Sequence, residues 1–481
     1  MNRLTTVILS ACLSAALFPG ASAQEQELAL SFDQASALVG DSRSIRIADR
    51  EVELAETERQ RMNAFWYPQL TATGAYVHLA NRIQVKESLS AFTDPLKDFI
   101  HSVIPGEELI SSLLDRIGSR SFGVPLAPAD VTTIDLVATL PLITGGKRIY
   151  AGRIGRSMVR LAETGRRQVS DAQQILLVET YFGLRLGQKI VAVKRQTLET
   201  FELHLRNALK LEANGMLTKT ERLLFQVNRD EARRELEEAE KDLDLAQQAF
   251  KTLVQLDTDK NIAPVTPLFI HESLPSPAFF KERTTQNSPL LQGLGIRQEI
   301  QHNELRIANS AYIPTVGLFG KQTLYAHGIR KNLLPRTLVG VGLSWTIFDG
   351  LGREKKIRQA RINSRILETE QEKAADDLAL AVDRFYNQTR IALDNVAALR
   401  TTVEMSREIV RARQKSFLEG MATPTEVIDA ELLLAKVKIA TLTAFYQFDV
   451  GLINLLAVSG MTDIFPHYVY TGSDEASALN P

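Results

Sequence analysis

Seventeen prolines are spread so unevenly over this 481-residue chain that two stretches carry none, the 122 residues between Pro141 and Pro264 and the 88 between Pro335 and Pro424. Proline breaks a helix interior by removing an amide donor and clashing with the preceding turn, so such stretches predict long uninterrupted helix. From Lys147 to Glu212 and from Arg353 to Glu419 the chain can run as helix for about 66 residues, on the order of 100 Å at 1.5 Å per residue. No compact domain needs that length. The chain is 44% hydrophobic with 56 Lys+Arg against 57 Asp+Glu, which excludes a disordered chain and a strongly basic nucleic-acid coat.

The first 23 residues read as a secretory signal: Arg3, an apolar run from Leu4 to Phe18, then Ala21-Ser22-Ala23 before Gln24. Cys12, the only cysteine, lies in this segment. Leu9-Ser10-Ala11-Cys12 also fits a lipoprotein signal, but the apolar run continues past Cys12 and a better cleavage site follows. Cleavage after Ala23 leaves no cysteine for a disulfide, a thiolate metal site or a nucleophile. No later segment offers about 18 consecutive apolar residues, so a transmembrane helix is not expected. An exported chain of this kind is then soluble, or enters a bilayer by strands, whose alternation a hydropathy window does not see.

The chain is one unit written twice. Tyr67-Pro68-Gln69-Leu70 recurs as Ile313-Pro314-Thr315-Val316, offset by 246. Leu140-Pro141-Leu142-Ile143-Thr144-Gly145-Gly146 recurs as Trp345-Thr346-Ile347-Phe348-Asp349-Gly350-Leu351, offset by 205. Asn214-Gly215-Met216-Leu217-Thr218 recurs as Glu419-Gly420-Met421-Ala422-Thr423, again at 205. Two landmarks sharing one offset make coincidence improbable, and the first copy carries about 41 extra residues between its first and second landmarks. Each copy reads helix, strand, loop, strand, long helix, Gly-Met turn, helix.

Strand segments show period-two alternation: Ile134, Leu136, Ala138 and Leu140 against Thr133, Asp135, Val137 and Thr139, then Val339, Val341, Leu343 and Trp345 against Leu338, Gly340, Gly342 and Ser344. The second set has one apolar face ending in an aromatic, as a membrane barrel requires, although a half-buried soluble strand explains any single one equally well. The returning helix carries a heptad seam, Ala232, Leu236, Ala239, Leu243, Ala246, Phe250 and Leu253. At an offset of 205 the register gives Val437, Thr441, Ala444, Phe448, Gly451, Leu455 and Val458. Small residues alternating with large ones let helices pack closely, and coils of this length flanking β-hairpins suggest a tube.

With these features the chain resembles the outer-membrane efflux protein family typified by TolC, over essentially the whole segment after Ala23. The resemblance rests on the duplicated half, the strand-ending Thr144-Gly145-Gly146 and Asp349-Gly350-Leu351-Gly352 turns into long helices, and the Gly-Met-x-Thr tips. It implies an α+β membrane protein and a homotrimer, each protomer giving four strands to one 12-stranded outer-membrane β-barrel and its helices to a long periplasmic tunnel. Implied partners are outer-membrane lipid, a periplasmic adaptor (membrane fusion protein) docking at the tips, and an inner-membrane pump, either proton-driven or of the ATP-binding cassette type. On this reading 1–23 is the signal and 24–262 the first repeat, with an insertion at 86–128 and a tip at 214–220. A linker at 263–288 leads to the second repeat, 289–462, with a tip at 419–425, and 463–481 is a C-terminal tail.

The tips supply the candidate site residues. Gly215, Met216 and Thr218, and Gly420, Met421 and Thr423, occupy the family's docking turns. Gly215 and Gly420 suit a helix end needing positive φ, while Thr218-Lys219-Thr220-Glu221 and Thr423-Pro424-Thr425-Glu426 are textual capping boxes. By resemblance Glu221 matches an acid of the periplasmic gate, and Glu426 and Asp429 match an acidic ring. These two lie three apart on one helical face, and three copies would bring six carboxylates around the aperture as a candidate site of divalent-cation block. For Glu426 the capping role is an equal alternative. The family's tyrosine and arginine in the closing links are replaced by Phe417 and Ala422, so the gate is looser or held by other groups, such as Lys219 against Glu426. In the insertion, Phe99, Val103, Leu109, Leu113 and Ile117 have helical spacing, which predicts two short amphipathic helices forming a lid or a silent loop.

Signals for catalysis are poor. The seven histidines make no ligand-spaced pair, and Gly145-Gly146-Lys147 lacks the rest of a phosphate loop. The expectation is a passive outer-membrane exit duct of a tripartite efflux or type I secretion system, with no enzymatic activity, no cofactor and no nucleic-acid partner. The alternative is a periplasmic coiled-coil adaptor or structural protein, which would show one helical hairpin where this chain shows two.

Overall fold

The structure is a computed structural model that describes residues 27–78, 80, 83–88, 93–94, 96–98, 108–119, 121–127, 130–327 and 335–475. The signal at 1–23, including Cys12, and the insertion residues Phe99 and Val103 lie outside the described residues.

In chain order the elements are β1 (Leu28–Leu30), α1 (Phe32–Val39), α2 (Arg43–Asn63), β2 (Gln69–His78), β3 (Ile83–Ser88), α3 (Glu108–Gly118), β4 (Ser121–Ala127), β5 (Asp130–Ile143), α4 (Lys147–Ala213) and α5 (Lys219–Val254). There follow β6 (Ile262–Pro264), β7 (Phe269–Ile270), α6 (Pro277–Asn287), α7 (Pro289–Ser310), β8 (Thr315–His327), β9 (Thr337–Ser344), α8 (Gly352–Leu418), α9 (Pro424–Val458), α10 (Phe465–Thr471) and β10 (Ser473–Asp474). The long helices α4 and α8 are each 67 residues and uninterrupted, and both of their ends are offset by 205. The duplication reaches the backbone torsions. All eight described residues with positive φ form four pairs at that offset: Gly145 with Gly350, Gly146 with Leu351, Gly215 with Gly420 and Gln255 with Gly460.

Two compact units emerge. One comprises the described residues of Met1–Glu53, Arg160–Ile296 and Glu368–Pro481. Its core gathers Phe32, Tyr181, Phe182, Phe250, Phe269, Phe445, Phe448 and Phe465, and the parallel pair β1–β6 and the antiparallel pair β7–β10 add Leu30, Ile262 and Ile270 to it. Helix α9 is apolar and long enough to cross a membrane by length and composition, which no run of consecutive apolar residues suggested. Most of that window is buried in the core, so it is a core helix. The seam position Gly451 lets α9 approach α8 until an added Cβ would lie 2.8 Å from Thr389 Oγ1. Glu475, 1% exposed, ties the chain's last described residue to Arg185 (2.8 Å) and Lys189 (3.0 Å). A second, smaller core of Phe201, Ala208, Phe225, Ala232 and Ile428, with Phe417 against it, lies among the segments that lead to the two turns.

The other unit, Leu54–Val159 with Arg297–Leu367, holds the four-stranded antiparallel sheet β2-β5-β8-β9. The insertion differs from expectation. Helix α3 covers Leu109, Leu113 and Ile117, and the segment's ends pair as a two-stranded sheet, β3 with β4, which was not expected; the other expected helix, through Phe99 and Val103, falls outside the described residues. Pro125 in β4 falls beside a register shift at Ile83/Gln84, where a missing amide donor is tolerated.

Candidate functional site

Strand register sorts the side chains of the sheet into two unlike faces. Residues paired across antiparallel strands share a face. Leu70 opposes Ala138, Ala72 opposes Leu136, and Gly74 opposes Ile134. Leu140 opposes Leu318, which opposes Val341, and Val316 opposes Leu343. This face is predominantly apolar, with Leu70, Val339, Val341 and Leu343 exposed on it, and is interrupted by Gln322 and Thr337, which hydrogen-bond each other opposite Leu136. The other face carries Thr71, Thr73, Thr133, Asp135, Thr139, Lys321, Thr323 and Ser344. There Lys321 Nζ lies 2.7 Å from Asp135 Oδ2, and Thr323 donates to Asp135 Oδ1 at 2.6 Å. Phe319 is the aromatic exception, lying over the bare backbone of Gly340 and Gly342.

Exposed aromatics mark both ends of the apolar face. Tyr76 and Tyr325 stand at one end; Trp66, Tyr67, Trp345 and Phe348 stand at the other, where the strands give way to helices. At this junction the two repeats build the same knot. Arg148 lies over Trp66 (3.9 Å) and donates to the Pro141 carbonyl. Its counterpart Arg353 lies over Tyr312 (4.7 Å) and donates to the carbonyls of Ala311 (3.3 Å), Thr346 (2.9 Å) and Ile347 (2.8 Å). Each guanidinium thus joins the helix entering the sheet, the strand leaving it and the long helix that follows. Sequence reading missed this knot, although Arg148/Arg353 and Trp66/Tyr312 repeat at the offsets of 205 and 246 already in hand.

The turns at the far ends of the long helices are also built alike. Gly215 (φ 68°) and Gly420 (φ 71°) sit in the left-handed region. The amides of Met216 and Met421 donate back to Leu211 (2.9 Å) and Ser416 (2.8 Å), satisfying carbonyls that a helix end leaves open. Thr218 and Thr423 cap α5 and α9. Glu221 accepts from the Thr218 amide (2.8 Å) and hydroxyl (2.7 Å), and Glu426 accepts from the Thr423 amide (3.0 Å). Hydrogen bonds from the Thr218 side chain and then its backbone hold the Glu221 carboxyl below the usual range, so it stays ionised. Met216 and Met421 are exposed, and nothing lies within 4 Å of a Cβ added at Gly215 or Gly420, so the turns present open surface.

Of the three candidate acids, Glu221 and Glu426 are therefore engaged in capping. Glu426 also faces Arg413 at 3.4 Å, where Lys219 had been considered. Asp429 is exposed and makes no ion pair among the described residues. Phe417 is no polar link: it packs edge-on to Phe225 (6.0 Å), while Ala422 is half-buried. Among the described residues no group of three or more His, Cys, Asp or Glu is arranged to hold a metal within one chain. One cluster near the turns went unseen in the sequence. His204 stacks on Phe225 (5.8 Å) and faces Glu431 (3.5 Å), which accepts from Gln414 (2.6 Å).

Residues 282–461 match the family model described as outer membrane efflux protein. The alkaline protease secretion protein AprF of Pseudomonas aeruginosa is 24% identical over 322 residues, covering 65% of this chain and 66% of that protein. Among solved structures, CusC superposes with a TM-score of 0.71 at 14% identity, covering 92% of this chain and 95% of its own. The outer membrane protein VceC from Vibrio cholerae superposes at 0.67 and 13% identity, covering 89% and 96%. A duplicated strand-and-long-helix unit with a two-faced sheet, this match and this shared fold lead to one conclusion: the chain has the fold of these solved channels, and over residues 282–461 it resembles the outer membrane efflux protein family.

Proposed function

We propose that this protein is a passive exit duct through the outer membrane, not an enzyme, that works with an inner-membrane pump through a periplasmic adaptor. The observation that carries the reading is the two-faced sheet with open edges. Among the described residues, strands β2 and β9 each pair on one side only. In a bilayer no sheet edge is tolerated, because unpaired backbone groups find no water there. Strand direction alternates across β2-β5-β8-β9, so β9 of one copy meets β2 of the next antiparallel, and rotational repetition closes the sheet without changing its pattern. Three copies give the 12 strands that the family resemblance implies. The apolar face then meets lipid, and the Asp135–Lys321 face lines a water-filled lumen. The shortest of the sheet's four strands, β9, has 8 residues. At about 3.3 Å per residue and a tilt of about 40° such a strand spans roughly 20 Å, close to the apolar band of an outer membrane.

The paired turns, with their exposed methionines and open glycines, are the docking surface for the adaptor, and Glu426 and Asp429 contribute to an acidic ring at the aperture. The kinship with a protease secretion protein favours protein export by a type I system over small-molecule efflux. Two helical hairpins per chain, together with the two-faced sheet, disfavour the adaptor alternative. The test is reconstitution: detergent-extracted protein should run as a trimer and give discrete conductance steps in planar bilayers. A freely soluble monomer without conductance would sink the proposal.

A further inference from the structure

Just beyond the aromatic end of the sheet, both long helices begin with a one-sided charge pattern. Between Lys147 and Arg160 there is no acid, and between Gly352 and Arg365 there is only Glu354, which accepts from the Tyr312 hydroxyl at 2.8 Å. Arg153 and Arg156 on α4 recur at the offset of 205 as Arg358 and Arg361 on α8. All four are exposed, and none forms an ion pair among the described residues.

Their direction follows from the neighbouring positions. Ala151 and Met158 line a cavity of about 520 Å³ together with Gln69, which shares the sheet face of Thr71 and Thr139. Arg153 and Arg156 each lie two residues from one of these, about 200° around the helix. They project on the opposite side, the side of the apolar sheet face, and the repeat places Arg358 and Arg361 likewise. Helical side chains lean toward the helix N-terminus, which here is the aromatic end. Arg153 and Arg358 begin about 9 Å past the start of their helices and Arg156 and Arg361 about 14 Å, by a rise of 1.5 Å per residue. A leaning arginine, about 6 Å long, reaches back into the zone where headgroups adjoin an interfacial aromatic belt.

We infer that Arg153, Arg156, Arg358 and Arg361 form an outward basic ladder that binds the phosphates of anionic phospholipids in the leaflet at the helical end of the barrel. Charge complementarity selects this occupant: uncompensated arginines lie within a Debye length of a surface whose mobile component is anionic. The planar guanidinium also matches a phosphate's geometry. The inference rests on the bilayer placement proposed above.

The chain carries its own reporters, because its two tryptophans, Trp66 and Trp345, both stand in the adjoining aromatic belt. The trimer is reconstituted in phosphatidylcholine vesicles containing either brominated phosphatidylglycerol or brominated phosphatidylcholine, and tryptophan quenching is measured. At low salt the anionic lipid should quench more effectively per mole by about threefold or more, and the difference should shrink in high salt. Replacement of all four arginines by glutamine should abolish the preference, while replacement by lysine should retain part of it. Equal quenching by the two lipids in the unaltered protein at low salt overturns the ladder. Quenching by neither lipid overturns the bilayer placement itself, and the ladder with it. The unaltered protein decides both points even where a variant fails to assemble.

Discussion

Gly451→Ala tests whether the close approach of α8 and α9 is set by that one missing side chain. The new Cβ would lie 2.8 Å from Thr389 Oγ1 and 3.4 Å from the Thr389 Cα and N. The hydroxyl has no easy retreat, since Thr389 is fully buried and donates to the Phe385 carbonyl at 2.8 Å. Overpacking of this kind costs about 1–3 kcal/mol. Replacing glycine in a helix interior returns about 1 kcal/mol of propensity. With the hydroxyl pinned, the clash falls at the upper end of that range and wins, and the net loss should approach about 2 kcal/mol per protomer. The sign should reverse where Thr389→Ala has already removed the hydroxyl, because the remaining backbone contacts at 3.4 Å are ordinary, and Gly451→Ala should then be neutral or stabilising. The assay is urea unfolding of the detergent-solubilised protein, followed by far-ultraviolet circular dichroism, for the two single variants and the double. An equal cost of Gly451→Ala in both backgrounds would refute the reasoning.

Three further outcomes follow from the geometry. Asp429→Ala with Glu426→Ala should weaken block by multivalent cations in planar bilayers, and unchanged block would remove the acidic ring from the aperture. Arg353→Ala leaves three carbonyls and the Tyr312 ring without their shared partner, so it should lower unfolding stability by about 2–3 kcal/mol; Arg353→Lys should recover little, since a single ammonium cannot serve all of them. Asp449 is fully buried and both its carboxylate oxygens lack a hydrogen-bond partner. Burial pushes its pKa well up; the Phe269 backbone opposes this, and the charge of Glu475 adds to it. The folded state therefore holds this proton to higher pH than the unfolded chain, so the group's stabilisation is complete below the ordinary carboxylate range and is lost as pH rises. Asp449→Asn should gain on the parent in urea midpoint between about pH 5 and pH 8, and a constant difference across that range would refute the assignment.

The sites divide along the same line as the elements. The turns were legible because capping and left-handed glycine are local: Thr218, Glu221, Gly215 and their counterparts act within a few residues of one another. Asp429's freedom and Glu426's contact with Arg413 were not, since each depends on which helix lies alongside. The pairing of β3 with β4 was hidden for a related reason: ladder partners some 40 residues apart leave only weak alternation in either strand.

By itself the sequence determined the duplication, the two 67-residue helices to within a residue at each end, the seam of the returning helices and the resemblance to the outer membrane efflux proteins. Helical hydrogen bonds span four residues, so proline spacing and periodicity suffice to reveal them. Tertiary structure alone decided the sheet order, the register that gathers Leu70, Ala138, Leu318 and Val341 on one face and Asp135 with Lys321 on the other, and the arginine knots at the helical end of the sheet. Each of these brings together groups tens to hundreds of residues apart. A shift of one residue would turn every strand inside out, and no local pattern in a single strand records which neighbour it will meet.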